Sequence, residues 1–93
     1  MIVDVHTHFC RPETDFGPSL RADMARCGVD SAAWGDVGER HLETTREAEI
    51  AVVFGLQAQA TGWNIPNDAV AAHVLRASER LLFFAAVDPA RPD

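Results

Sequence analysis

The sequence predicts an α/β fold with parallel strands. Ile50-Ala51-Val52-Val53-Phe54 and Leu81-Leu82-Phe83-Phe84-Ala85-Ala86-Val87 are unbroken apolar runs of strand length, as expected of strands buried on both faces of a parallel sheet. A third, β-branched run opens the chain from Ile2 to His6. Between these runs lie residues with helical spacing, so the order is strand, helix, strand, helix, strand. That order implies parallel neighbours joined by right-handed crossovers. It accommodates a barrel and an open doubly wound sheet equally well.

Each element has its own local reason. Ile2 to His6 alternates in character and is β-branched, hence a strand. Phe9 to Ser19 holds Pro12, Gly17 and Pro18 among charges and reads as a long loop. Leu20 to Cys27 makes two helical turns, with Leu20, Met24 and Cys27 on one side and Gly28 as the C-terminal cap. Val29 to Val37, with Gly35, is irregular. Gly38 to Ala48 carries Glu and Arg at helical spacings and reads as a charged surface helix, with His41 in solvent. Glu49 to Leu56 contains the second strand. Gln57 to Pro66, with Gly62, Trp63 and Asn64, reads as a loop. A helix then begins at Pro66 or Asn67, with Ala69, Val70, His73, Val74 and Ala77 on its apolar face; His73 there is a packing residue. Leu81 to Val87 is the third strand, ended by Asp88-Pro89, where Asp88 caps the turn.

Composition narrows the class. With 93 residues the chain holds one small domain at most, against roughly 250 residues for a complete (β/α)8 barrel. An apolar content of 47% places it among globular rather than disordered chains. The net charge of −6 argues against a nucleic-acid or anionic-membrane partner. The eight basic side chains are all Arg, a bias of composition rather than a functional signal. Cys10 and Cys27 are too few for a disulfide framework, so a reducing cytoplasm is expected. There is no signal-peptide pattern, and no apolar run approaches the ~20 residues of a membrane span.

The chemistry concentrates in Asp4-Val5-His6-Thr7-His8. Side chains alternate along a strand, so His6 and His8 point to one side with Asp4 beneath them. Their positions lie about 6–7 Å apart along the strand. Two imidazoles reaching out from there can converge on one ion at about 2.0–2.1 Å from each nitrogen. A bare His-x-His arises often by chance, and its place at the C-terminal end of the opening strand is what gives it weight. His6 and His8 are therefore the candidate metal ligands. Cys10, two residues beyond His8, is placed to line the site mouth, but it reads rather as an inert small apolar residue.

Asp4-Val5-His6-Thr7-His8-Phe9 resembles the first-strand signature of the amidohydrolase superfamily. Val52-Val53-Phe54-Gly55-Leu56 resembles the second strand of its amidohydrolase-related branch. Asn67-Asp68, then Glu79-Arg80-Leu81-Leu82-Phe83-Phe84-Ala85-Ala86-Val87-Asp88-Pro89, resembles the third strand with its preceding helix end. The likeness covers most of the chain except about residues 11–36, and its third-strand segment is the more discriminating part. It implies that residues 1–93 are the N-terminal part of a single barrel domain: the first three parallel strands and intervening helices of a truncated (β/α)8 TIM-like barrel.

The resemblance further implies one divalent metal, zinc above all, with His6 and His8 as its first two ligands. The family's remaining ligands and its acid/base follow later strands, at positions this chain does not contain, so no catalytic residue is assigned and these 93 residues alone are expected to be inactive. Trp63 and Asn64, after the second strand, fall on the catalytic face of such a barrel and are the candidate contacts to a small-molecule substrate. The branch includes amide and lactone hydrolases and nonoxidative decarboxylases. Many decarboxylases carry Glu in place of the first His, so His6 favours hydrolysis.

Two other readings compete. Metal phosphoesterases of the polymerase-and-histidinol-phosphatase type open with a similar strand, but they place Thr-Asp-His after the second one, where this chain has Val53-Phe54-Gly55-Leu56. A non-catalytic truncated product is the alternative from a different class. Three strands of a barrel leave apolar edges, so copies are expected to associate.

Overall fold

The structure, a computed structural model, describes residues 1–91. In order, the elements are β1 (Val3–His8), α1 (Pro12–Asp15), α2 (Pro18–Arg26), α3 (Val37–Thr44), β2 (Ile50–Phe54), β3 (Leu56–Ala58), β4 (Trp63–Ile65), α4 (Asn67–Leu75) and β5 (Leu81–Phe84). Single 3-10 turns occupy Ser31–Trp34 and Gln59–Thr61. The three apolar runs pair as a parallel sheet in the order β1-β2-β5, so the α/β organisation is present.

Helices cover one face of this sheet. Ala51 pairs with Leu81 and Val53 with Phe83. Ala51, Val53 and Leu81 are buried beneath Val70 and Val74 of α4, which packs on β2 and β5. Each of the Val and Leu side chains among these contributes about 1.5–3 kcal/mol when fully removed from water. The other face differs from the expectation of two-sided burial. Central Val52 is shielded by its neighbours, but Leu82 and Phe84 of β5 are about half exposed (49% and 52%). Periodicity reads an apolar run as two-sided burial, yet among the described residues helices reach only one side.

Local chemistry explains most element ends. Pro18 stands at the first turn of α2, two residues before the expected start, where a missing N–H is harmless. Gly28 (φ +74°) closes α2 by donating to the Ala25 carbonyl, while Val29 N–H donates to that of Met24. Asp36 caps α3 by accepting from Glu39 N–H. Arg80 binds the Leu42 and Thr45 carbonyls at the other end, so α3 stops short of Ala48. β5 ends at Phe84 rather than Val87 because Ala86 is drawn out of the sheet: its N–H and C=O both bond the side-chain amide of Asn67.

Two loops hold more structure than their composition indicates. Pro12–Asp15 is a helical turn locked by Asp15, whose buried carboxylate accepts from the Arg11 backbone N–H (2.6 Å) and guanidinium (2.9 Å). Residues 57–66, expected as loop, contain most of the antiparallel pair β3–β4, with Gln57 opposite Asn64 and Ala58 opposite Trp63. Strands of three residues carry no periodic signal. Their turn is made by Gly62 in the left-handed region (φ +82°), and Phe16 bridges to Trp63 from the first loop.

Candidate metal centre

β1 brings the two histidines together despite an irregularity. Asp4 pairs with Ala51 and Thr7 with Val53, so β1 takes three steps where β2 takes two. This is a bulge that re-aims the end of the strand. The Asp4 carboxylate accepts from His6 N–H (3.1 Å) across it. The Nε2 atoms of His6, within the bulge, and His8, beyond it, lie 3.0 Å apart, with ring centroids at 4.9 Å. Two nitrogens on one tetrahedral ion at 2.0–2.1 Å stand about 3.3–3.4 Å apart. The pair therefore fits as two ligands of one metal after a shift of a few tenths of an ångström. Among the described residues no group of three or more His, Cys, Asp or Glu forms a fuller ligand set.

The pair is exposed on the open face of the sheet and backed by aromatic rings. Phe54 lies 4.8 Å from the His6 ring and 6.1 Å from that of His8, and Phe84 meets Phe54 edge-on at 5.3 Å. An aromatic wall against two imidazoles restricts their rotation, and the two Nε2 atoms face each other.

His41 corrects the sequence reading. It is buried (6% exposed), not solvated. Its Nε2 is hydrogen-bonded to Thr7 Oγ (2.9 Å), and its Nδ1 to His73 Nε2 (2.9 Å). Thr7 in turn donates to the Val52 carbonyl (2.7 Å). His73 is also buried, its ring stacked on Phe9 at 4.2 Å, and its Nδ1 has no partner among the described residues. A trace of this was present in the sequence: Gly38, His41, Thr45 and Ala48 form an uncharged stripe between the Glu and Arg positions, and all four are buried.

Burial dominates the electrostatics here. It lowers His41 from its ordinary 6.5 to about 4, helped by His73 and Arg80 and opposed by Asp4. Burial and Arg80 also lower His73, against Asp36. An unfolded chain takes up a proton on His41 near pH 6.5, the folded one only near 4. Between these values the unfolded state binds more protons, so stability falls as pH drops through that window and then levels. In urea titrations across pH 7 to 4, His41→Gln is expected to flatten this decline. An equally steep decline in that variant would contradict a buried neutral His41.

The remaining candidates divide. Asn64, beside Gln57 on the β3–β4 pair, lines a cleft of about 440 Å³ with Gln59, Asp68, Asp88 and Arg91. Trp63 instead packs edge-on against Phe16 at 5.6 Å, with its indole N–H buried and unpartnered among the described residues. The Cys10 thiol is pushed up to about 11 by burial, then by Asp15 and Glu13, which keeps it protonated near neutral pH. Asp88 accepts from Ala90 N–H, as a turn cap does. No protein-family model, curated protein or solved structure matches the chain. Among the described residues no helix is long and apolar enough to cross a membrane.

Proposed function

We propose that this chain is the opening portion of a metal-dependent hydrolase of the amidohydrolase-related type, acting on an amide, lactone or similar carbonyl compound. The observation that carries the reading is the 3.0 Å approach of His6 and His8 Nε2 at the C-terminal end of a parallel strand, the end at which α/β folds place their chemistry. A zinc ion bound there would supply an acidic bound water and a Lewis acid for a carbonyl oxygen. His6 and His8 would hold the ion. Phe54, packed against both rings, restricts their turning. Asn64 offers an amide donor and acceptor to a substrate from its cleft. The remaining ligands and the proton-handling group belong, in this reading, to later strands of a barrel.

Zinc titration followed by calorimetry tests the assignment. Two ligands hold the ion weakly compared with a three-ligand catalytic site, so the chain is expected to bind zinc only weakly. His6→Ala with His8→Ala is expected to abolish that binding. Tight stoichiometric zinc that survives the double replacement would rule the pair out as the ligands.

A further inference from the structure

We propose that Thr7 is the positioning residue of the His6/His8 pair, and that His41, backed by His73, holds Thr7 in place from the helix-covered side of the sheet. The inference rests on the reading of His6 and His8 as ligands. It assigns a role to a buried polar chain that the fold does not otherwise require.

Thr7 sits between the two ligands, and alternation sends its side chain to the face opposite theirs. It is also the first residue of β1 to regain register after the bulge, paired with Val53. Its hydroxyl ties the strand end to β2 through the Val52 carbonyl. The hydrogens along the chain can be counted. The single Thr7 hydroxyl hydrogen goes to Val52, so His41 must present Nε2–H to the Thr7 oxygen. Its Nδ1 is then a lone pair, which accepts Nε2–H from His73. Both rings are neutral in the same tautomer: the two imidazole bonds run toward Thr7, and the Thr7 hydrogen passes on to Val52.

Such a row is an inefficient way to stabilise a core. Two apolar side chains of similar volume would bury comparable area without desolvating two imidazoles, and His73 Nδ1 is left unpaired among the described residues. What the row does provide is direction. A fully bonded side chain on Thr7 fixes the backbone between His6 and His8, and with it the separation of their nitrogens. Supporting groups of this kind commonly change metal affinity by about 10–100-fold when removed.

The test uses the full chain with Thr7→Val, which keeps the shape and loses the hydroxyl, and Thr7→Ser, which restores it. His41→Leu and His41→Gln make the same comparison one bond further back. Zinc affinity, the visible spectrum of bound cobalt(II), the ring ¹⁵N signals of all four histidines and the unfolding midpoint are measured for each. The parent is expected to show Nε2–H tautomers at His41 and His73. Thr7→Val and His41→Leu are expected to lower zinc affinity by about tenfold, alter the cobalt spectrum and shift the His6 and His8 ring signals; Thr7→Ser and His41→Gln are expected to restore them. A folded Thr7→Val with unchanged His6 and His8 signals overturns the positioning role, as does an Nδ1–H tautomer at His41. If instead the parent takes up no metal through His6 and His8 while their ring signals still depend on Thr7, the metal reading fails and the positioning of the pair stands.

Discussion

Leu81→Ala is expected to lower the free energy of unfolding by about 2–5 kcal/mol, whereas Leu82→Ala, one residue on, changes it by less than about 1 kcal/mol. Leu81 is 2% exposed and sits on the helix-covered face opposite Ala51, among the largest fully buried side chains of the chain. Its removal loses transfer free energy and leaves a cavity that the sheet and α4 close only partly. Leu82 points to the open face and is half in water already. A domain of this size has about 5–10 kcal/mol of stability in total, so the first change removes much of it. Urea titrations of the two variants measure the difference. Equal losses would mean that both faces of β5 are buried and that this account of the sheet is wrong.

Gly62→Ala is expected to be nearly as damaging, by about 2–4 kcal/mol, through backbone strain and overlap together. Gly62 has φ +82° and its carbonyl accepts from Gly17 N–H at 2.5 Å, so two chain segments meet glycine against glycine. An added Cβ would overlap Ser19 Oγ and come to 3.0 Å from Leu20 N, inside the first turn of α2. A backbone nitrogen cannot swing aside as a side chain does. Gly28→Ala is the matched control: φ is +74°, but nothing lies within 4 Å of the new methyl group, so only strain of about 1–2 kcal/mol remains. Thermal unfolding should order the variants parent, Gly28→Ala, Gly62→Ala. Indistinguishable midpoints for the two variants would remove the packing of the β3–β4 turn on α2 as a contributor.

What could be read in the sequence was what depends on near neighbours. Ile50–Phe54 is strand as expected, because an apolar β-branched run of that length has few other solutions. α4 begins at Asn67 and buries Val70, His73 and Val74, the residues its period selects. Gly28 closes α2 by virtue of its own φ. The meeting of His6 and His8 also follows from i, i+2 spacing, although the bulge beneath them does not show in the composition. Cross-strand partners were harder to foresee. β3 and β4 are too short to alternate visibly and exist because Phe16 and Gly62 pin their ends. β5 stops early because Asn67, 19 positions away, takes the backbone bonds of Ala86.

His41 marks the boundary most sharply. Flanked by Arg40 and by Glu and Arg on either side, it reads as solvated, since helical charge spacing is a property of the helix alone. Its burial depends on Thr7, 34 positions before it, and His73, 32 after it. The sequence by itself determined the α/β order, the parallel strands and the spacing that lets two imidazoles meet. Only the tertiary structure decided which sheet face is covered, where His41 lies and what stands behind Thr7. The physical reason is that spacing and propensity act within a few residues, whereas burial and hydrogen-bond satisfaction are settled by whichever distant groups the folded chain brings alongside.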